Sequence, residues 1–91
     1  HMDLQLAGKV VIVTGGASGI GEAIVRSFAQ EGAIPVIVGR DPAKAEKLLQ
    51  ELQQQGVKTL FVKAELTIEA ECKQAIEQTL QTFNRIDCLV N

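Results

Sequence analysis

The run Val10-Val11-Ile12-Val13 leads directly into Thr14-Gly15-Gly16-Ala17-Ser18-Gly19-Ile20-Gly21, and this junction constrains the chain more than any other feature. Four consecutive β-branched residues read as a strand buried on both faces. The glycines read as a tight turn that opens a helix. Ile20, Ala23, Ile24, Ser27 and Phe28 then form one apolar stripe at helical spacing, with Glu22, Arg26, Gln30 and Glu31 facing away. Strand, glycine turn and helix in that order make the corner of a doubly wound α/β sheet at which a dinucleotide pyrophosphate sits. Glycine suits that corner because backbone must come close to a phosphate. The helix that follows aims free N–H groups and a partial positive charge at the anion. The spacing is Gly-x3-Gly-x-Gly, not the commoner Gly-x-Gly-x-x-Gly. Gly15, Ser18, Gly19, Ile20 and Gly21 are the candidate contacts. The alternative is an ordinary strand-turn-helix, against which the context on both sides argues.

The remainder alternates strand and helix in the manner of a parallel sheet. Gly32 ends the first helix, and Ile34 to Val38 form a second strand with Pro35 near its start. Asp41 caps a second helix with Pro42 at its first position. Ala45, Leu48, Leu49 and Leu52 give its apolar stripe, Lys44, Lys47, Gln50 and Glu51 its wet face, and Gly56 closes it. Thr59 to Val62 make a third strand. Thr67 is expected to cap the third helix, whose stripe is Ile68, Cys72, Ala75, Ile76, Thr79, Leu80 and Phe83. Asn84 suits a left-handed stop, and a fourth strand begins at Asp87. No linker or repeat interrupts the pattern. Short connections and right-handed crossovers give strand order 3-2-1-4, with the ligand edge at the strand carboxyl ends.

Composition narrows the function classes. A formal net charge of −2 argues against electrostatic binding of nucleic acid or an anionic membrane surface. No stretch approaches the roughly 18 apolar residues of a membrane span. His1-Met2 reads as a cloning scar with no secretory leader behind it, so the expected setting is cytoplasmic. The two cysteines, Cys72 and Cys88, lack the short spacing of metal ligands. They are expected to pack in the core. A nucleoside-triphosphate loop is excluded, because no Lys-Ser/Thr follows the last glycine.

The segment Gly8-Lys9-Val10-Val11-Ile12-Val13-Thr14-Gly15-Gly16-Ala17-Ser18-Gly19-Ile20-Gly21 resembles the start of the short-chain dehydrogenase/reductase family. Ile86-Asp87-Cys88-Leu89-Val90-Asn91 resembles that family's fourth strand, running into its Asn-Asn-Ala-Gly motif. The resemblance implies the βαβαβαβ part of one Rossmann-type domain over residues 3–91, cut after strand four. It also implies a parent enzyme that moves hydride between a nicotinamide cofactor and a carbonyl or alcohol, as a homodimer or homotetramer. The family's catalytic Ser and Tyr-x-x-x-Lys would lie beyond Asn91, and the chain contains no Tyr. The 91 residues alone are therefore expected to be inactive. A non-catalytic dinucleotide-binding or subunit-interaction module is the alternative.

Three strand ends carry the remaining expectations implied by the resemblance. Gly39 stands where an acid would bind the 2′-hydroxyl of NAD, and Arg40 follows it. Arg40 is a candidate ligand for a 2′-phosphate, which makes NADP the preferred cofactor and NAD the alternative. The other readings are a solvated loop cation or a pair with Asp41, which could also turn inward to serve NAD. Some NADP-preferring relatives place a basic residue where this chain has Ser18. Ala64-Glu65-Leu66 resembles the family's adenine box, with Glu65 in place of the usual Asp as acceptor for the adenine amino group and the Leu66 N–H facing the ring. A surface carboxylate near a helix start is the alternative for Glu65. Asn91 would meet the adenosine ribose through its backbone. Gly32-Ala33-Ile34-Pro35-Val36 together with Glu65 resembles bacterial sugar dehydrogenases, including those that oxidise L-fucose. A 3-oxoacyl thioester is the other substrate class considered.

Overall fold

The computed structural model describes residues 7–15 and 19–90. Its elements run β1 (Val10–Thr14), α1 (Gly19–Gln30), β2 (Ile34–Gly39), α2 (Pro42–Gln54), β3 (Leu60–Lys63), α3 (Glu69–Phe83) and β4 (Cys88–Val90). The four strands form one parallel sheet in the order β3-β2-β1-β4, as the alternating pattern requires. Every strand therefore delivers its carboxyl end to the same edge.

Alternating residues of each strand feed two separate cores. Val11, Val13 and Ile37 face α1 and α2, where Val25, Ala45, Leu48 and Leu52 are buried against them. Val10, Ile12, Val36, Val38 and Val62 face α3, where Ala75 is buried. Among the described residues, the first face carries two helices and the second one. Burial of one such aliphatic side chain contributes about 1.5–3 kcal/mol, so both layers hold the sheet. The second layer nevertheless leaves Ile76, Leu80 and Leu89 between 42 and 58% exposed.

Several local expectations shift. In α1 the inward line is Gly21 and Val25, with Ile24 and Phe28 beside it. Ile20, Ala23 and Ser27, assigned to that stripe from their spacing, stand exposed. Ile76, Leu80 and Ile68 of the α3 stripe are likewise partly in solvent, because α3 has no helical neighbour on that side. The N-cap of α3 is Ile68, without a side-chain bond to the helix. Thr67 does not cap it; its hydroxyl turns back to Glu65. Cys88 is exposed and not in the core, since among the described residues no strand pairs with the outer edge of β4. Cys72 is half-buried and donates through Sγ to the Leu66 carbonyl.

Other ends are as read from sequence. The Asp41 carboxylate accepts from the Ala43 N–H at the start of α2, with Pro42 in its first turn. Asn84 adopts φ 64° and closes α3 on the Leu80 carbonyl. Arg26 reaches from α1 to Glu51 of α2 and ties the two helices of the first face together. This contact lowers the Glu51 carboxyl below its ordinary range, chiefly through the Arg26 hydrogen bond. Asp87 joins β4 to β1: its Oδ2 accepts from the Val10 N–H at 2.8 Å, while Arg85 forks onto both carboxylate oxygens at 2.7 Å.

Candidate functional site

The carboxyl edge of the sheet gathers the expected binding residues. β1 ends at Thr14, whose hydroxyl donates to the Val90 carbonyl of β4 at 3.2 Å. Gly15 follows with φ 69°, a left-handed backbone that costs a non-glycine residue roughly 1–2 kcal/mol. Its N–H donates to the Val38 carbonyl across the edge, which fixes where the turn leaves the sheet. Ser18 and Asn91 lie outside the described residues. Gly19, Ile20 and Gly21 form the first turn of α1, whose free N–H groups mark the anion-binding end of a helix. Gly21 is buried against the sheet, and Ile20 is 81% exposed.

The glycines at this edge differ from those that merely shape turns. A Cβ added at Gly19 would meet nothing within 4 Å, and Gly19 has an ordinary helical backbone. Alanine would stabilise a helix position by about 0.5–1 kcal/mol over glycine. Nothing among the described residues calls for glycine here, whereas a phosphate seated on the helix end would. Gly39 is similar: a Cβ would stand 4.0 Å from Phe61, an ordinary contact. The residues present therefore fit a pyrophosphate at the first turn and leave room at the end of β2.

An open cleft of about 500 Å³ runs along this edge on the α1/α2 side, bordered by Gly15, Gly39, Arg40, Asp41, Lys44 and Phe61. It brings the first glycine of the turn and two cations to one wall. Lys44 was assigned to the wet face of its helix from spacing alone. One signal set it apart: it lies in the first turn of α2, the end where the helix dipole disfavours a cation. Asp41, the alternative partner for Arg40, is held instead by the helix it caps. Arg40 pairs with Glu65, Nη1 to Oε2, at 3.3 Å.

Glu65 sits in a dense local network. Its Oε1 accepts from the Thr67 N–H at 3.3 Å and from the Thr67 hydroxyl at 3.2 Å, while its own N–H donates to Glu71. The Thr67 backbone bond, followed by the Thr67 hydroxyl and Arg40, draws the carboxyl below its ordinary range despite some desolvation, so the group is anionic at neutral pH. Both of its oxygens already have donors. Leu66 borders a second, apolar cleft of about 410 Å³ on the α3 side, together with Ile12, Thr14, Val38, Ile76 and Leu89. Its size and lining suit a flat ring with little polar demand.

The pattern of the family described as short chain dehydrogenase matches residues 9–91. The chain is 41% identical over 90 residues to an L-fucose dehydrogenase of Bos taurus, covering 99% of this chain and 32% of that protein. It is 39% identical over 94 residues to a glucose and ribitol dehydrogenase homologue of Arabidopsis thaliana, covering 96% and 32%. Its fold superposes on the L-sorbose reductase of Gluconobacter frateurii, solved with NADPH and L-sorbose, with a TM-score of 0.92 at 35% identity, over 99% of this chain and 35% of that one. The chain thus spans about a third of the length of the relatives it matches.

Proposed function

The chain belongs to the short chain dehydrogenase family, and from that premise we propose that it is the dinucleotide-binding portion of an NADP(H)-preferring oxidoreductase. The substrate class we infer is a small polyhydroxylated carbonyl or alcohol, such as a sugar. That inference is supported by the names of three relatives, an L-fucose dehydrogenase, a glucose and ribitol dehydrogenase homologue, and an L-sorbose reductase. The 3-oxoacyl thioester has no comparable support among them.

The observation that carries the cofactor reading is the shared cleft of Gly15, Arg40 and Lys44, with glycine as the last residue of β2 and the bordering Asp41 carboxylate engaged as the cap of α2. When bound, the nicotinamide group supplies or accepts the hydride. The first turn of α1 holds the pyrophosphate through backbone N–H groups, and its glycines admit close approach. Arg40 meets the 2′-phosphate with a planar fork of donors, and Lys44 adds a second positive charge on the same wall. Leu66 and the apolar cleft behind it shelter the adenine ring from water.

The test is equilibrium binding of NADPH and NADH to the wild-type chain and to Arg40→Ala. Loss of one charge-assisted contact, about 1.5–3 kcal/mol, predicts a ten- to hundredfold weaker NADPH interaction with NADH little changed. An unchanged NADPH to NADH ratio would remove Arg40 from the role. The same reading includes a cytoplasmic, homo-oligomeric whole protein, which cell fractionation and sedimentation of the full-length enzyme check.

A further inference from the structure

Arg40 and Glu65 are separated by 25 residues yet stand side by side. β2 and β3 pair in parallel with Gly39 opposite Lys63, and the Ala64 N–H donates to the Gly39 carbonyl at 2.9 Å. The residues that leave these two strands therefore emerge at neighbouring points of the edge. Glu65 is the fixed member: Thr67 grips it twice, and its side chain is 30% exposed. Arg40 is the free member, 78% exposed and in contact through Nη1.

We propose that Glu65 limits the preference for a 2′-phosphorylated dinucleotide by holding the guanidinium that grips the phosphate. It thereby keeps the site usable by both cofactors. This rests on the assignment of Arg40 to the phosphate and deepens it. A guanidinium offers five N–H donors, so a single contact leaves the rest available to a phosphate. The carboxylate, however, stays within ion-pair distance of the same group when the phosphate arrives, and the two anions repel. A ribose with a free 2′-hydroxyl meets no such repulsion. Lys44 borders the cleft without a share in this pair, and the Asp41 carboxylate is occupied by its cap. Glu65 is thus the anion that offsets Arg40, delivered from the neighbouring strand to an edge where β2 ends in glycine.

Glu65→Gln keeps the volume and an acceptor for Thr67 while removing the charge. Binding of NADPH, NADH, 2′,5′-ADP and 5′-ADP would be measured by calorimetry at low and high salt, with circular dichroism to verify folding. The expected result is NADPH and 2′,5′-ADP tightened about two- to fivefold, the range of an exposed ion pair, with NADH and 5′-ADP unchanged. The gain should shrink at high salt. It should vanish in an Arg40→Ala background, where no guanidinium remains to be released. Equal effects on all four ligands, or weaker NADPH binding, would overturn the proposal and make Glu65 an adenine or positioning residue. Arg40→Ala alone separates the two levels. If it collapses the NADPH preference while Glu65→Gln fails to raise it, only the Glu65 role falls. If it leaves the preference intact, the phosphate assignment falls with it.

Discussion

Apart from Gly15, whose left-handed backbone shapes its turn, glycines at the two ends of the sheet serve opposite purposes. At the amino end, Gly32 has φ 85°, and a Cβ there would come within 3.3 Å of the Ala7 backbone. Its carbonyl accepts from the Gly8 N–H, so the turn into β2 is closed against the chain's own beginning. At the carboxyl end, Gly19 and Gly39 have ordinary backbone and open or unstrained surroundings. The first kind is demanded by the fold; the second leaves space that the fold does not use. Arg40, Lys44 and Glu65 are collected at the carboxyl edge beside them.

The sharpest way to break this comparison is Gly39→Asp. A Cβ there stands 4.0 Å from Phe61, an ordinary contact, and the carboxylate it carries would put an anion where a 2′-phosphate is expected. Like-charge juxtaposition costs several kcal/mol, so the NADPH to NADH binding ratio should fall about a hundredfold with folding intact. Gly19→Ala comes next. Both dinucleotides should bind about tenfold or more weakly, while the thermal midpoint holds or rises, since helix propensity favours alanine by up to about 1 kcal/mol. A loss of stability instead would mean that the fold needs this glycine after all. Gly32→Ala should do the reverse, costing about 1–2 kcal/mol in denaturant unfolding without altering the cofactor ratio.

The smallest expected effect concerns acid. Arg85 first, and the Val10 N–H second, hold the Asp87 carboxyl below its ordinary range. A carboxyl lowered on folding contributes stability that is complete above its unfolded pKa, about 3.9, and is lost as pH falls through the lower folded value. Unfolding followed from pH 6 downward should therefore show a decline beginning near pH 4–5. Asp87→Asn should flatten part of it, the rest belonging to Glu51 and Glu65, which shift in the same direction.

How much was legible beforehand depended on how local the cause was. Val10–Val13 and Ile34–Val38 announced their strands by composition, and Asp41, Pro42, Gly56 and Asn84 announced helix ends by their own backbone chemistry. Strand order followed from connection lengths. The α1 stripe was misplaced because Val25 sits between the two rows counted as inner and outer, and only the direction of the sheet decides between them. Cys88 read as a core thiol because it lies inside a strand, where small buried thiols are common, yet burial depends on what lies beyond β4. The Arg40–Glu65 pair was invisible for a further reason. Each residue was singled out separately, but their meeting is set by the β2–β3 register. Lys44 was hidden by the same periodicity that correctly placed Leu48 and Leu52.

The bond from Asp87 to Val10 spans 77 positions of the chain, and this has a kinetic consequence. β1, β2 and β3 can assemble through the comparatively short crossovers of α1 and α2. β4 must wait for those 77 positions to close a loop, with three paired residues on β1 to reward it. Loops of that length close slowly relative to local pairings. Of the four strands described, β4 should therefore dock last, and its amides should be among the first of these to exchange with solvent.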